Sequence, residues 1–171
     1  FSADNPMKLL YVSRYEPYKN HIKLIKIFND LIDNGFNIKL YLIFFEININ
    51  IDFSKYFSNK NNFKKLIIRN NLNQQELFNY YKNSDCFIFP SECESFGLPL
   101  IEAASCNLPI ACHNYVVFKE ILGEYADYFN INDNESVQNV IIKLYSNIAY
   151  LSSRSKKLNE EFKTYSWEDC V

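Results

Sequence analysis

Apolar positions along this chain switch repeatedly between two periods. Met7 to Ser13 (MKLLYVS) is a short apolar run of strand length. His21 to Asn34 then carries Ile22, Ile25, Phe28, Leu31 and Ile32 at helical spacing and is ended by Gly35. Asn37 to Phe45 and Lys64 to Arg69 repeat the strand pattern. Asn73 to Ser84 is amphipathic, with Leu77, Phe78 and Tyr81 on one face and Asn73 placed to cap its start. Cys86 to Phe89 predicts a fourth strand, closed by Pro90, and a short helix follows over Leu98 to Ser105. Pro109 to Cys112 predicts a fifth strand, Val116 to Leu122 a helix and Ala126 to Phe129 a sixth strand. Asn134 to Ser146 and Leu151 to Tyr165 read as closing helices within a 151–171 end region. Glu46 to Asn62 has no clear period and reads as a variable loop.

Short strands alternating with helices predict βαβ units and a parallel sheet. Right-handed crossovers then put helices on both faces. The expected fold is α/β: a Rossmann-like three-layer α/β/α domain with a parallel sheet of about six strands, one unit over residues 1–171. Ligands of such sheets bind at the carboxyl ends of the strands, which points to the loops after Ser13, Phe89 and Cys112. Only three glycines occur, Gly35, Gly97 and Gly123, so neither the G-x-G-x-x-G dinucleotide fingerprint nor a P-loop can be built.

Composition narrows the function classes. Apolar residues at 48% and charged residues at 22% suit a packed globular domain. The net charge is -2, and the three arginines, Arg14, Arg69 and Arg154, are scattered, so no nucleic-acid footprint is present. No apolar run approaches the ~20 residues of a membrane span. No signal peptide is visible in the opening residues, and Phe1 to Pro6 read as a linker cut open, running straight into a strand. The aromatic content of 17%, mostly Phe and Tyr, is read as a coding bias rather than a function. The five cysteines include no C-x-x-C pair, and Cys86 and Cys112 lie in apolar strands; buried free thiols in a reducing compartment are expected.

The chemistry concentrates in Pro90-Ser-Glu-Cys-Glu-Ser-Phe-Gly-Leu-Pro-Leu-Ile-Glu102, between a strand and a helix. Gly97 gives the backbone freedom to turn and to let a ligand approach closely. Pro99 suits the first helical position. The amides of Gly97, Leu98, Leu100 and Ile101 are then expected to form an anion site at the helix start, suited to a pyrophosphate. Glu94 and Glu102 flank it, and a carboxylate can accept hydrogen bonds from the vicinal hydroxyls of a sugar or ribose. A capped surface helix with ordinary acidic residues is the plainer alternative for the carboxylates taken alone.

These residues resemble the Glu-seven residues-Glu signature of retaining glycosyltransferases of the family 4 type, the glycosyl transferases group 1 family, with Ser95 where the usual pattern has Gly. Ser13-Arg14-Tyr15-Glu16-Pro17-Tyr18-Lys19-Asn20 is similar to that family's Gly-Arg-Leu-x-x-x-Lys-Gly segment, with Ser13 and Asn20 replacing the two glycines. Asn73 to Asp85 resembles the helix before the fourth strand, and Ser166-Trp167 the end of these domains. The resemblance implies one half of a GT-B fold: the C-terminal, donor-binding half, without the N-terminal acceptor-binding domain. It implies that Arg14 and Lys19 bind the diphosphate, Glu94 the donor sugar and Glu102 the ribose. Ser95, Phe96, Gly97 and Leu98 complete the donor loop, and Asn71 and Leu72 sit near the nucleobase.

Glu120 matches a recurrent Glu after the fifth strand and stays open between ligand and structural roles. His21 and His113 follow strands one and five within reach of the cleft, although packing is the commoner role of a lone histidine. The resemblance further implies no metal and no cofactor, a nucleotide-sugar donor, and a glycan or lipid-linked acceptor reached through the other domain. A cytoplasmic location follows by analogy, at the inner face of the cytoplasmic membrane, with peripheral membrane association of the full protein. A sugar-nucleotide epimerase half and a non-catalytic nucleotide-binding module remain the competing readings.

Overall fold

The computed structural model describes residues 1–2, 4–45 and 51–162. Its strands are β1 (Met7–Ser13), β2 (Ile38–Phe44), β3 (Leu66–Asn70), β4 (Cys86–Phe89), β5 (Ile110–His113) and β6 (Ala126–Phe129). The helices between and after them are α1 (His21–Asp33), α2 (Lys60–Phe63), α3 (Gln74–Asn83), α4 (Leu98–Ser105), α5 (Val116–Leu122), α6 (Asn134–Ser146) and α7 (Ile148–Glu161). The six strands form one sheet of order β3-β2-β1-β4-β5-β6, and every neighbouring pair is parallel. Helices cover both faces, giving the expected three-layer α/β/α architecture. This burial explains the near-continuous apolar runs: β4 is buried at all four positions and β1 at six of seven.

Element ends follow local chemistry. Asn73 caps α3 through a reciprocal capping box with Glu76, so the predicted start holds. Pro109 stays outside β5, because it has no N–H to give the ladder; only its carbonyl serves, accepting from Phe87 N–H at 2.8 Å. α7 begins at Ile148 rather than Leu151, since the Asn147 side chain accepts from Tyr150 N–H. The predicted end of that helix and Ser166-Trp167 lie outside the described residues.

The variable loop expected over 46–62 is corrected in its described part. Phe53–Tyr56 form a 3₁₀ turn capped by Asp52, and α2 is capped by Asn59. Phe53 is buried and stacks on Phe44, with ring centroids 6.2 Å apart. Buried Asn29 and exposed Asp33 of α1 receive Ser58 and the Asn62 amide. Capping and isolated aromatic anchors, Phe53 on Phe44 and Phe57 on Phe28, order this stretch rather than amphipathic periodicity. Cys86, Cys106 and Cys112 are buried free thiols and Cys93 is exposed; Cys170 lies outside the described residues.

Candidate functional site

The strand order reverses between β1 and β4, the position where open parallel sheets form a crevice. Leu10 lies opposite Phe87, so the loops leaving these two strands start side by side. The loop after β1 runs through a 3₁₀ turn, Pro17–Lys19, and then Asn20 in the left-handed region at φ 56°. Asparagine is among the few L-residues that accept this conformation, which accounts for its standing where the resembled motif has glycine. The Glu92 N–H donates to the Tyr18 carbonyl at 3.0 Å, tying the β4 loop to the β1 loop.

Lys19 is the best-held cation of the region. Its carbonyl accepts from the Tyr11 hydroxyl at 2.7 Å, and its ammonium lies 5.4 Å from the Phe89 ring centroid. The ammonium pairs with Glu94 Oε1, and the two side chains are only 10% and 17% exposed. Two residues 75 apart in sequence thus meet through charge in a largely desolvated place. Arg14 is exposed beside them, and with Ser13, Tyr18, Phe45 and Pro99 these residues line an open cleft of about 430 Å³.

Gly97 caps α4 with φ 74°, and a Cβ there would lie 3.1 Å from Leu100 Cδ1. Its need for glycine is therefore both conformational and steric. Two details of the predicted anion site are corrected. Pro99 is the second helical residue, after Leu98, and the Leu100 N–H donates to the Gly97 carbonyl at 2.9 Å instead of facing a ligand. Ser95, Phe96 and Leu98 are exposed on the rim of this loop.

Glu102 does not line the same cleft. It stands one turn into α4, where Oε2 accepts from the buried Tyr81 hydroxyl of α3 at 2.6 Å. Burial pushes its carboxyl above the ordinary range, and the Tyr81 hydrogen bond opposes that rise. Asn71 follows β3 with φ 54° and donates its N–H to the Phe44 carbonyl; it is exposed, while Leu72 packs partly on the core. β3 is two strands from β1, so this corner lies roughly 10 Å across the sheet from the cationic loop.

Both histidines act within the fold. His21 is buried, stacked 4.7 Å from Tyr11, and its Nε2 lies 2.8 Å from Ser13 Oγ. Ser13 donates its hydroxyl to the Arg14 carbonyl, so it accepts from His21 Nε2–H. Burial and the nearby Lys19 charge hold the imidazole pKa down to about 3, and a neutral ring of this kind is no phosphate-binding cation. His113 Nδ1 lies 3.2 Å from both the Phe129 carbonyl and the Ile131 N–H, tying β5 to the end of β6. Glu120 is exposed on α5. Among the described residues, no group of three or more His, Cys, Asp or Glu is placed to hold a metal ion.

The sequence reading missed Asn20, Glu92, Asn132 and Tyr81. Asn20 Nδ2 donates to the Pro90 carbonyl and to Glu92 Oε2, and Asn132 Nδ2 donates to Glu92 Oε1. Only the replacement of a motif glycine hinted at the first of these.

Residues 1–165 match the family described as glycosyl transferases group 1. The serotype-specific mannosyltransferase WbdA of Escherichia coli is 35% identical over 122 residues, 71% of this chain and 15% of that protein. The probable sucrose-phosphate synthase of Thermosipho melanesiensis is 28% identical over 175 aligned positions, 96% of this chain and 39% of that protein. The solved sucrose-phosphate synthase of Thermosynechococcus elongatus shares the fold with a TM-score of 0.79 at 20% identity, over 99% of this chain and 44% of that one. The chain therefore spans less than half the length of each of these relatives. By a match over nearly its whole length, and by its fold, the chain belongs to the glycosyl transferases group 1 family as a GT-B C-terminal domain.

Proposed function

We propose that this chain binds a nucleotide-diphosphate sugar and serves as the donor half of a retaining hexosyltransferase. The observation that carries the reading is the Lys19–Glu94 pair, with Arg14 beside it, in the cleft at the strand-order reversal. Arg14 and Lys19 take the diphosphate, whose negative charge grows as the sugar–phosphate bond breaks; fixed cations stabilise that charge without a metal. Glu94 accepts from hydroxyls of the donor sugar, and Glu102, oriented by Tyr81, accepts from the ribose. Gly97 lets the chain approach the pyrophosphate, and Asn71 and Leu72 flank the base, at a distance that suits the length of a nucleoside diphosphate. No protein nucleophile is required if the leaving phosphate takes the acceptor's proton on the same face. No cofactor takes part.

The acceptor is a glycan or lipid-linked glycan held by a second domain, and this chain without that domain transfers no sugar. Relatives named as serotype-specific and O-antigen chain mannosyltransferases favour polysaccharide assembly and mannose as the first donor sugar to try. Such work places the full protein in the cytoplasm, peripherally at the inner face of the membrane. No described helix is long and apolar enough to cross one. The test is a thermal-shift and calorimetric panel of UDP, GDP, ADP and their hexose conjugates. A ligand that binds the native state raises its melting temperature. The reading requires that R14A lose affinity for a diphosphate but not for its nucleoside, and that E102A lose affinity for the nucleoside as well. A chain that binds none of these ligands refutes it.

A further inference from the structure

The loops after β1 and β4 are joined by more than the Lys19–Glu94 pair. Asn20 Nδ2 lies 2.9 Å from Glu92 Oε2, 3.1 Å from the Pro90 carbonyl and 3.2 Å from the Tyr18 carbonyl. Three acceptors around one atom fix the amide's orientation, because the side-chain oxygen there would face only other oxygens. The second Glu92 oxygen accepts from Asn132 Nδ2 at 2.7 Å, and Asn132 in turn accepts from Lys23 Nζ at 2.8 Å. Glu92 is thus engaged through both carboxylate oxygens, by the loops after β1 and β6 together.

Asn20 adjoins Lys19, and Glu92 is two residues from Glu94. We infer that Asn20 and Glu92 are positioning residues that keep Lys19 and Glu94 in register across the β1–β4 boundary when a donor separates that ion pair. This rests on the donor-site reading above. In the unliganded protein the ion pair itself holds the two loops together. A bound diphosphate draws Lys19 away from Glu94, and the link is lost when both residues must be well placed. The amide–carboxylate link does not compete for the ligand and survives its arrival. A motif glycine at position 20 provides the left-handed turn but no such link.

The test uses N20G, E92A, E92Q and the double variant N20G/E92A, with calorimetry of the nucleoside, the nucleoside diphosphate and the sugar conjugate. Glycine takes φ 56° without strain, so N20G keeps the turn and removes only the amide. N20G and E92A each weaken the sugar conjugate about three- to tenfold, in keeping with one net hydrogen bond, and leave the bare nucleoside unchanged. The double variant loses less than the sum of the two single ones, since the Asn20–Glu92 bond is common to both while the Pro90 and Asn132 bonds are not. E92Q keeps one acceptor for Asn20 but turns an NH2 toward Asn132, so it loses less than E92A. Independently of any ligand, N20G speeds hydrogen exchange at the Glu92 amide, which Tyr18 protects. Equal losses for nucleoside and conjugate, additive losses in the double variant, or no losses at all overturn the inference while leaving the donor reading intact. A parent chain that binds no nucleotide overturns both.

Discussion

Glu94 gives the sharpest prediction, because the structure implies an effect on the bare diphosphate where its sequence position implies none. Read as a sugar ligand alone, Glu94 has no effect on a bare nucleoside diphosphate. In the folded chain it is the counter-ion of Lys19, and a phosphate must compete with it. Exposed pairs contribute about 0–1 kcal/mol, and removing one partner of a fully buried pair costs about 3–5 kcal/mol. With side chains 10% and 17% exposed, this pair falls between, at roughly 1–2 kcal/mol. E94Q removes the charge but keeps the shape and one oxygen, so the lower end applies. The diphosphate should then bind roughly five- to tenfold more tightly to E94Q than to the parent. The sugar conjugate should lose a charged hydrogen bond of roughly 1.5–3 kcal/mol in the same variant. Both ligands share the relief from competition, so the ratio of conjugate to diphosphate affinity falls by the hydrogen bond alone, about ten- to a hundredfold. Isothermal calorimetry of both ligands on folded protein measures this directly. Weaker diphosphate binding by E94Q would refute the competition argument, since it would mean that Glu94 holds Lys19 in place for the phosphate rather than away from it.

Three further outcomes are expected. G97A should destabilise by more than the ~1–2 kcal/mol of a left-handed alanine, because its Cβ meets Leu100, whereas G35A at φ 89° with open space around it should cost about that backbone term alone; urea titrations that reverse this order would refute the account. The Glu102 carboxyl, raised by burial, binds its proton more tightly in the folded than in the unfolded chain, so its ionisation reduces stability as pH rises through the folded value. E102Q should accordingly melt higher than the parent at pH 7 and lose that advantage below about pH 4, the ordinary range of a glutamate, and Y81F should lower the parent's melting temperature most at neutral pH. Arg154 of α7 lies with its Nε 3.1 Å from Asp127 Oδ2, and both residues are buried, so R154A should cost about 3 kcal/mol in denaturant by leaving the Asp127 charge without this partner. A loss under 1 kcal/mol would mean that Lys143 and Tyr150, which hold Asp127 Oδ1, suffice.

Much of this architecture was legible because a buried parallel sheet leaves a plain record. β1, β4, α4, α5, β6 and α6 begin and end where the apolar period changes, and Asn73 announces α3 by its capping chemistry. Where the record is thin, the physics is not periodic. Phe53 and Phe57 order their segment by single ring contacts on Phe44 and Phe28, and Asn59 and Asp52 by caps, at spacings with no period. The site shows the same division. Motif spacing identified Lys19, Glu94, Gly97 and Glu102 as residues of interest, yet spacing carries no information about partners 21 or 75 positions away. The spacing of Tyr81 places it on an apolar helical face, where it lies; that its hydroxyl ends on Glu102 depends on how α3 and α4 pack. His21 stood beside the cationic loop in sequence, but the first turn of α1 carries its ring inward among Tyr11, Tyr15 and Phe44.

On the proposed donor reading, these partnerships let a domain of net charge -2 offer a site to a dianion. Lys19 is nearly out of water, and a lone ammonium there would carry a large desolvation cost. Glu94 offsets part of that cost in the unliganded protein, and the Tyr18 and Phe89 rings supplement it from the side. A nucleoside diphosphate then need not neutralise an uncompensated cation; it exchanges one anion for another around the same ammonium. The displaced carboxylate is not wasted, because a sugar attached to the departing phosphate brings hydroxyls to it. A donor with its sugar can therefore satisfy both members of the separated pair, whereas the diphosphate left after transfer satisfies only Lys19 and leaves Glu94 without its counter-ion. On the proposed donor reading, this geometry separates substrate from product through one ion pair and favours release of the diphosphate once the sugar has gone.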